Sequence, residues 1–212
     1  MFSNTLHDNV EEKIKMHISF TSLKKTILTA AIAIAFASPT LAATDDIKQR
    51  SEASRTVIKA FFTDLKKQLV SGLKAGGPVE AIGSCNVSAP AIAGAHSNAQ
   101  GRDIGRTSLK LRNPANEPDA WELGVLKDFE ARKANGENPA KMETAAYVEE
   151  DGKKVFRYMK AIPTAEKPCL ACHGGKIAPE VAAKLDELYP DDKARGYMAG
   201  DIRGAFTIKQ YQ

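Results

Sequence analysis

The most reactive side chains of the sequence stand together at Cys169, Cys172 and His173. Cys-x-x-Cys-His is the attachment sequence of c-type haem, in which each thiol adds to one vinyl group of the macrocycle and the adjacent histidine binds the iron. The cysteine pair could also belong to a thioredoxin-like redox site or to half of a zinc site. The first would need a βαβ pattern around the motif and the second another ligand pair, and the sequence shows neither. The motif therefore predicts one covalently attached haem c.

Cys85 is the third cysteine of the sequence, and it has no cysteine partner if the other two hold haem. A haem iron has a sixth coordination position, for which the sequence offers several donors. They are Cys85, His96, Met142, Met159 and Met198. Small residues surround Cys85 at positions 78–93 and would let a flat macrocycle approach the backbone, although a free cysteine is often only a small buried hydrophobic residue. His96 resembles a surface-turn residue, and Met142 and Met159 fall in predicted strands, where core packing is the commoner role.

The first 42 residues have the pattern of a secretory signal peptide. Two lysines precede an apolar run at residues 27–37, and small residues follow it as a cleavage site. This run is too short to span a bilayer, which needs about 20 residues. We expect cleavage after Ala42, which leaves residues 43–212 in the periplasm without a membrane span. Acidic residues before Met16 make it an alternative initiator to Met1. Haem c is attached after export, so signal and motif support each other.

The composition is that of a soluble globular protein. Hydrophobic residues make up 43% of the chain, the mean hydropathy is −0.32 and the formal net charge is +4. Basic residues occur as short pairs such as Lys66-Lys67, without the long basic run of many nucleic-acid-binding proteins, so no such role is expected. The length of residues 43–212 suits a single domain with a core of its own, which we predict to be one c-type haem domain.

Hydrophobic periodicity predicts a long N-terminal helix that precedes the cysteines. Apolar residues at helical spacing mark residues 45–73, and Gly76-Gly77 ends the pattern. Phe61 and Leu65 should be buried there. Pro78 then begins a second helix, which carries Cys85.

The rest of the chain alternates strand and helix patterns. Helices are predicted at residues 121–133 and 178–189, and strands at residues 102–112, 142–149, 153–162 and 204–211. Asp151-Gly152 is a turn dipeptide that joins the two middle strands as a β-hairpin. This order favours an α+β fold over the all-helical layout of small electron-transfer cytochromes.

Several segments resemble the c-type haem proteins with a PAS-like fold. They are residues 81–93 with Cys85, residues 106–116, residues 168–174 with the cysteine motif, and residues 189–206. The resemblance implies a PAS-like antiparallel sheet flanked by helices, against which the haem lies. It also implies that His173 is the proximal iron ligand and Cys85 the distal ligand. Members of that family serve as extracytoplasmic sensor domains of histidine kinases and cyclic-dinucleotide enzymes, or as free-standing proteins.

The expected function is that of a soluble periplasmic monohaem cytochrome in redox sensing or electron transfer. Because the sequence reaches Gln212 one strand after the motif, we expect no output domain and no enzymatic activity of its own. Its partner would be an unknown redox protein or membrane sensor. A haem enzyme or a nitric oxide or peroxide binder with an openable distal site is the alternative, although no His/Arg pair is evident near Cys85. A third possibility is a haem-stabilised partner-binding module.

Three arginines within the family-like segments are candidate partners of the haem propionates. They are Arg112, Arg195 and Arg203. A guanidinium forms charge-assisted hydrogen bonds with a carboxylate, and surface solvation is the alternative for each of them.

Overall fold

The computed structural model describes the backbone from Pro39 and the side chains from Thr44 to Gln212. The predicted signal peptide therefore lies outside the residues whose side chains are described. Four helices and four strands follow in chain order: α1 (Pro39–Gln100), β1 (Asp103–Thr107), α2 (Ala120–Ala134), β2 (Glu143–Glu150), β3 (Lys153–Pro163), α3 (Leu170–His173), α4 (Pro179–Leu188) and β4 (Ile202–Tyr211). They belong to one structural unit, Ala37–Gln212. The α+β prediction with a long N-terminal helix is confirmed.

Helix α1 is interrupted at the two glycines that the sequence marks as a helix end. Gly76 has φ −164° and ψ 25°, and Gly77 has φ 73° and ψ −161°, so neither is helical. Gly77 is in a region of φ that other residues rarely adopt. The break divides α1 into a first arm, residues 39–75, and a second arm, residues 78–100. This is the predicted arrangement of two helices, with Cys85 on the second.

The two arms fold back on each other as an antiparallel helical hairpin. Near the break, a Cβ placed on Gly72 would lie 2.6 Å from Ala81 Cα, so the arms meet there without room for a side chain. Farther from the break, His96 Nε2 lies 2.8 Å from an Asp64 carboxylate oxygen. The hairpin thus fixes the position of the second arm.

The four strands form one antiparallel sheet with the order β1-β4-β3-β2. Asp151 and Gly152 join β2 to β3 with φ values of 52° and 71°, as a primed hairpin turn requires. β4 lies between β1 and β3, with Arg106 opposite Phe206 and Tyr158 opposite Ile208.

Helices cover both faces of this sheet. The first arm of α1 buries Phe61 and Leu65 against Phe156, Phe206 and other residues of one face, as predicted. α2 covers the other face with Leu126. Among the described residues, no helix combines the length and apolar composition needed to cross a membrane.

The predicted strand at residues 102–112 is wrong in its second half. β1 ends at Thr107, where Gly204 of β4 lies so close that a Cβ on it would be 2.2 Å from Thr107 O. Ser108 then leaves the sheet, and its hydroxyl donates to Arg203 O at 2.7 Å and accepts from Lys110 N at 3.1 Å. Residues 108–112 therefore run towards the cysteine motif instead of extending the sheet.

Candidate functional site

The Cys-x-x-Cys-His motif forms a single helical turn. Cys169 is the N-cap of α3, and the amide of His173 donates to Cys169 O at 2.9 Å. Cys169 and Cys172 are three positions apart and so lie on neighbouring parts of one helix surface. Both are free thiols, as is Cys85. The turn thus presents two thiols and one imidazole in a short, defined segment.

The chain at residues 194–197 holds this turn from one side. The amide of Tyr197 donates to His173 O at 2.9 Å, and the amide of Gly196 donates to Gly174 O at 3.1 Å. A Cβ on Gly174 would lie 2.6 Å from Leu170 O, so only glycine permits this close exit from α3. The Tyr197 ring meets the imidazole edge-on at 6.2 Å between centroids. These contacts fix both the backbone and the ring of His173.

One nitrogen of His173 is committed to the protein. Nδ1–H donates to Ala194 O at 2.8 Å, which leaves the Nε2 lone pair for another partner. Burial lowers the pKa of His173 to about 3, and the nearby guanidiniums of Arg203 and Arg112 add to this effect. The imidazole is therefore neutral at neutral pH. A neutral ring with a fixed tautomer is the form that binds a metal through Nε2.

Arg203 lies beside the imidazole and has no carboxylate partner among the described residues. Because Nδ1 already donates to Ala194, the Arg203 Nε–H can donate only to Nε2, at 3.4 Å. Its Nη1 donates to Ser108 Oγ at 3.1 Å and to Lys110 O at 3.2 Å. Burial lowers the pKa of Arg203. Its positive charge thus faces only neutral hydrogen-bond acceptors.

Asp192 is the shared ion-pair partner of the two other predicted propionate partners. Its side chain is 1% exposed, and its carboxylate accepts from Arg112 Nε at 3.2 Å and from Arg195 Nε at 2.9 Å. Burial opposes its ionisation, but the hydrogen bonds from Arg195 and Arg112 outweigh this and lower the pKa of Asp192. Arg112 also donates to Cys172 O. Arg195 pairs further with the exposed Asp186. The guanidiniums of Arg112 and Arg195 are thus engaged by the protein.

Cys85 lies within electrostatic range of the motif. Burial raises the pKa of the Cys85 thiol, and Arg106 opposes this rise. Burial also raises the pKa of Cys172, with Cys85 among the further causes. The surroundings are apolar, because Cys172 packs against a cluster that includes Ile82 of the second arm and Leu185 of α4. The helical hairpin and α4 therefore bring Cys85 to the side of the molecule that carries the motif.

The other candidate donors lie in different surroundings. His96 is paired with Asp64 within the helical hairpin. Met142 and Met159 are fully buried in the cluster beneath α2, and Met198 is 71% exposed. For none of these four does the structure show an interaction with the motif. Among the described residues, no three His, Cys, Asp or Glu side chains converge as a metal site.

The sequence interpretation did not single out Arg106. This residue lies in β1, and strand alternation places it on the same face as the buried Ile104, towards α1. A charged residue at an inward position of an otherwise half-buried strand was the available signal. Asp192 was also missed as a partner of arginines, because its contact with Arg112 joins segments far apart in the chain.

These features define an α+β domain with a Cys-x-x-Cys-His turn beside one end of an antiparallel sheet. A third cysteine and an arginine without a carboxylate partner lie on the same side of the domain. The chain belongs to the Tll0287-like family, whose model matches residues 5–210. One similar solved structure is described as the crystal structure of the cyanobacterial heme-protein Tll0287. Its TM-score is 0.55 at 23% identity, over 76% of this chain and 96% of that chain. This similarity establishes a shared fold. No curated protein matches the chain.

Proposed function

We propose that this chain is a periplasmic c-type haem protein that carries one haem on Cys169 and Cys172 and acts in redox sensing or electron transfer. The observation that carries the proposal is the α3 turn, which combines the two thiols with a neutral imidazole whose Nδ1 is held by Ala194. The similar structure is that of a heme-protein, which supports the same assignment. When bound, haem supplies a one-electron iron couple.

The residues around the motif fit this group. His173 offers Nε2 to the iron, while Ala194 O and the Tyr197 ring keep the imidazole oriented. Arg203 Nε approaches Nε2 at 3.4 Å, a long separation for a hydrogen bond. Losing that single contact therefore costs less than losing a well-formed hydrogen bond.

Cys85 is the proposed distal ligand. Its support is the electrostatic interaction with Cys172 together with the family resemblance of residues 81–93. An anionic sulfur ligand favours ferric iron, so the reduction potential should be low compared with that of a Met/His cytochrome. The proposed protein would exchange electrons with a redox protein or inform a membrane sensor, without catalysing a reaction itself.

Covalent attachment is tested on the full chain, produced in a host that matures haem c. We expect a mass increase of one haem that survives acid-acetone extraction. Cys169→Ser and Cys172→Ser should each reduce the holoprotein, whereas Cys85→Ser should retain attached haem as the matched cysteine control. Complete extraction of haem from the unaltered protein would overturn the proposal.

Export is tested separately by fractionation and N-terminal sequencing. We expect the protein in the periplasmic fraction, with a mature chain that begins after Ala42. An intact N-terminus in the cytoplasm would contradict the location and remove the compartment in which haem c is attached.

The alternative function, a haem enzyme or small-ligand binder, is distinguished by the optical spectrum. Six-coordinate low-spin iron in both redox states counts against an open catalytic site. A five-coordinate ferrous form that binds nitric oxide would favour the alternative, with Cys85 as a ligand that leaves on reduction.

A further inference from the structure

Three arginines lie around the cysteine motif, and only one of them has a carboxylate partner. Arg106 is on β1 and Arg203 is on the neighbouring strand β4. Burial is the main cause that lowers the pKa of Arg203, and the charges of Arg112 and Arg106 lower it further. Arg112 has the carboxylate of Asp192 as its partner. Arg106 and Arg203 have no carboxylate partner among the described residues. The site therefore holds two uncompensated positive charges.

Arg106 is the more unusual of the two. Its side chain makes no hydrogen bond and no ion pair with any residue from Thr44 to Gln212. Burial lowers the pKa of its guanidinium, and the Cys85 thiol and the Tyr189 hydroxyl interact with it electrostatically. Five donors in a planar fork thus lie beside Cys85 without a protein acceptor.

Removing a guanidinium from water without a compensating anion is strongly unfavourable. Asp192 shows how this chain compensates such a charge where it does so with its own residues. Two uncompensated guanidiniums at one site indicate a ligand that brings two anionic groups, and a planar carboxylate matches the guanidinium fork in both charge and geometry.

We propose that Arg106 and Arg203 bind the two propionate carboxylates of the haem, while Arg112 and Arg195 stabilise the site through Asp192. This assignment rests on the proposed function. Of the three arginines selected from the sequence it keeps Arg203, and it puts Arg106 in the place of Arg112 and Arg195. It also balances the charge of the site. Ferric iron with its three positive charges in a porphyrin core with two negative charges would have a net charge of +1, which the Cys85 thiolate would cancel. The two propionate carboxylates would cancel the charges of the two arginines.

The competing interpretation is that Arg106 pairs with the Cys85 thiolate alone. The two interpretations differ in what happens when the sulfur is removed. If Arg106 binds a carboxylate, its effect on the haem persists in Cys85→Ser. If it pairs only with the thiolate, its effect disappears there.

The test uses holoprotein and resonance Raman spectra, in which the bending modes of the haem propionates respond to their hydrogen bonds. We expect these modes to shift in Arg106→Gln and in Arg203→Gln, and to stay unchanged in the matched control Arg195→Gln. Arg106→Lys should give a smaller shift, because lysine keeps the charge but lacks the bidentate geometry. The shift of Arg106→Gln should recur in a Cys85→Ser background.

Each result decides a separate claim. Attached haem with unchanged propionate modes in Arg106→Gln, or a shift that vanishes in the Cys85→Ser background, overturns the role of Arg106. A shift in Arg195→Gln overturns the division between the two pairs of arginines. Absence of attached haem from the unaltered protein is instead a failure of the proposed function. If the Arg106→Gln protein does not accumulate, the Arg106→Lys protein is measured in its place. Unchanged propionate modes in Arg106→Lys also overturn the proposal.

Discussion

Asp192→Asn tests whether one buried carboxylate stabilises the site. The variant keeps the shape of the side chain and a neutral acceptor for the amide of Ala194, but it removes the negative charge. Arg112 is only 14% exposed and would lose its ion-pair partner, while Arg195 is 31% exposed and would be partly solvated. Removing one partner of a buried pair costs about 3–5 kcal/mol. Because an acceptor remains, we expect about 3 kcal/mol.

The matched control is Asp186→Asn. Asp186 pairs with the same Arg195, but its side chain is 68% exposed. An exposed pair contributes at most about 1 kcal/mol, so this variant should be nearly as stable as the unaltered holoprotein. Guanidinium chloride unfolding at pH 7, followed by circular dichroism, gives the free energy of unfolding of both variants.

Acid pH provides a second readout for Asp192. Its folded pKa lies below the ordinary 3.8, so its contribution to stability is complete above about pH 4 and is lost as the pH falls through the folded pKa. The difference in stability between unaltered protein and Asp192→Asn should therefore shrink in acid. A loss below about 1 kcal/mol at pH 7, or one no larger than that of Asp186→Asn, would refute the reasoning. Arg112 and Arg195 would then be available as propionate partners.

Three further variants test the proposed iron ligand Cys85, the ion pair between α1 and β2, and the close contact between Gly204 and β1. Cys85→Ser should abolish the ferric thiolate spectrum and raise the reduction potential, while attached haem persists; an unchanged ferric spectrum would eliminate this ligand. Glu143→Gln should lower the free energy of unfolding by about 1–2 kcal/mol at pH 7, because Glu143 accepts hydrogen bonds from both Nε and Nη2 of Arg55. The hydrogen bonds and charge of Arg55 lower the pKa of Glu143 to about 2, so this difference should fade between about pH 4.5 and pH 2 in urea titrations, and a constant difference would contradict it. Gly204→Ala should destabilise the protein by more than about 3 kcal/mol, because its φ of 154° and its contact with Thr107 O leave no room for a Cβ; a thermal melt unchanged within a few degrees would contradict this.

Local sequence signals predicted most of the fold. The glycine pair at residues 76–77 marks the break in α1, and Asp151-Gly152 marks the β-hairpin, because both depend on backbone conformations that few residues adopt. The end of β1 was not predictable in this way. There the chain meets Arg203 and Gly204, which lie almost a hundred residues later in the chain.

The same distinction between local signals and distant contacts applies to the site. The motif at residues 169–173 is contiguous, so the sequence alone predicts its chemistry. The roles of the arginines are not, because all of them lie in family-like segments and only the folded chain shows which ones face carboxylates. Asp192 reaches Arg112 across 80 positions, and no spacing rule connects them. The assignments of Cys85, Cys169, Cys172 and His173 stay predictions, for which the experiments above are decisive.

The place of β4 in the sheet has a consequence for the timing of maturation. β4 lies between β1 and β3, although it follows both of them and the cysteine motif in the chain. On the proposed export route, the chain emerges with its N-terminal end first. The helical hairpin and the β2-β3 hairpin can form early, but β1 cannot join them until β4 has arrived. On that route the motif would be exposed on an incomplete domain for the last part of export, which would give an attachment machinery a period of access before the sheet closes beside it.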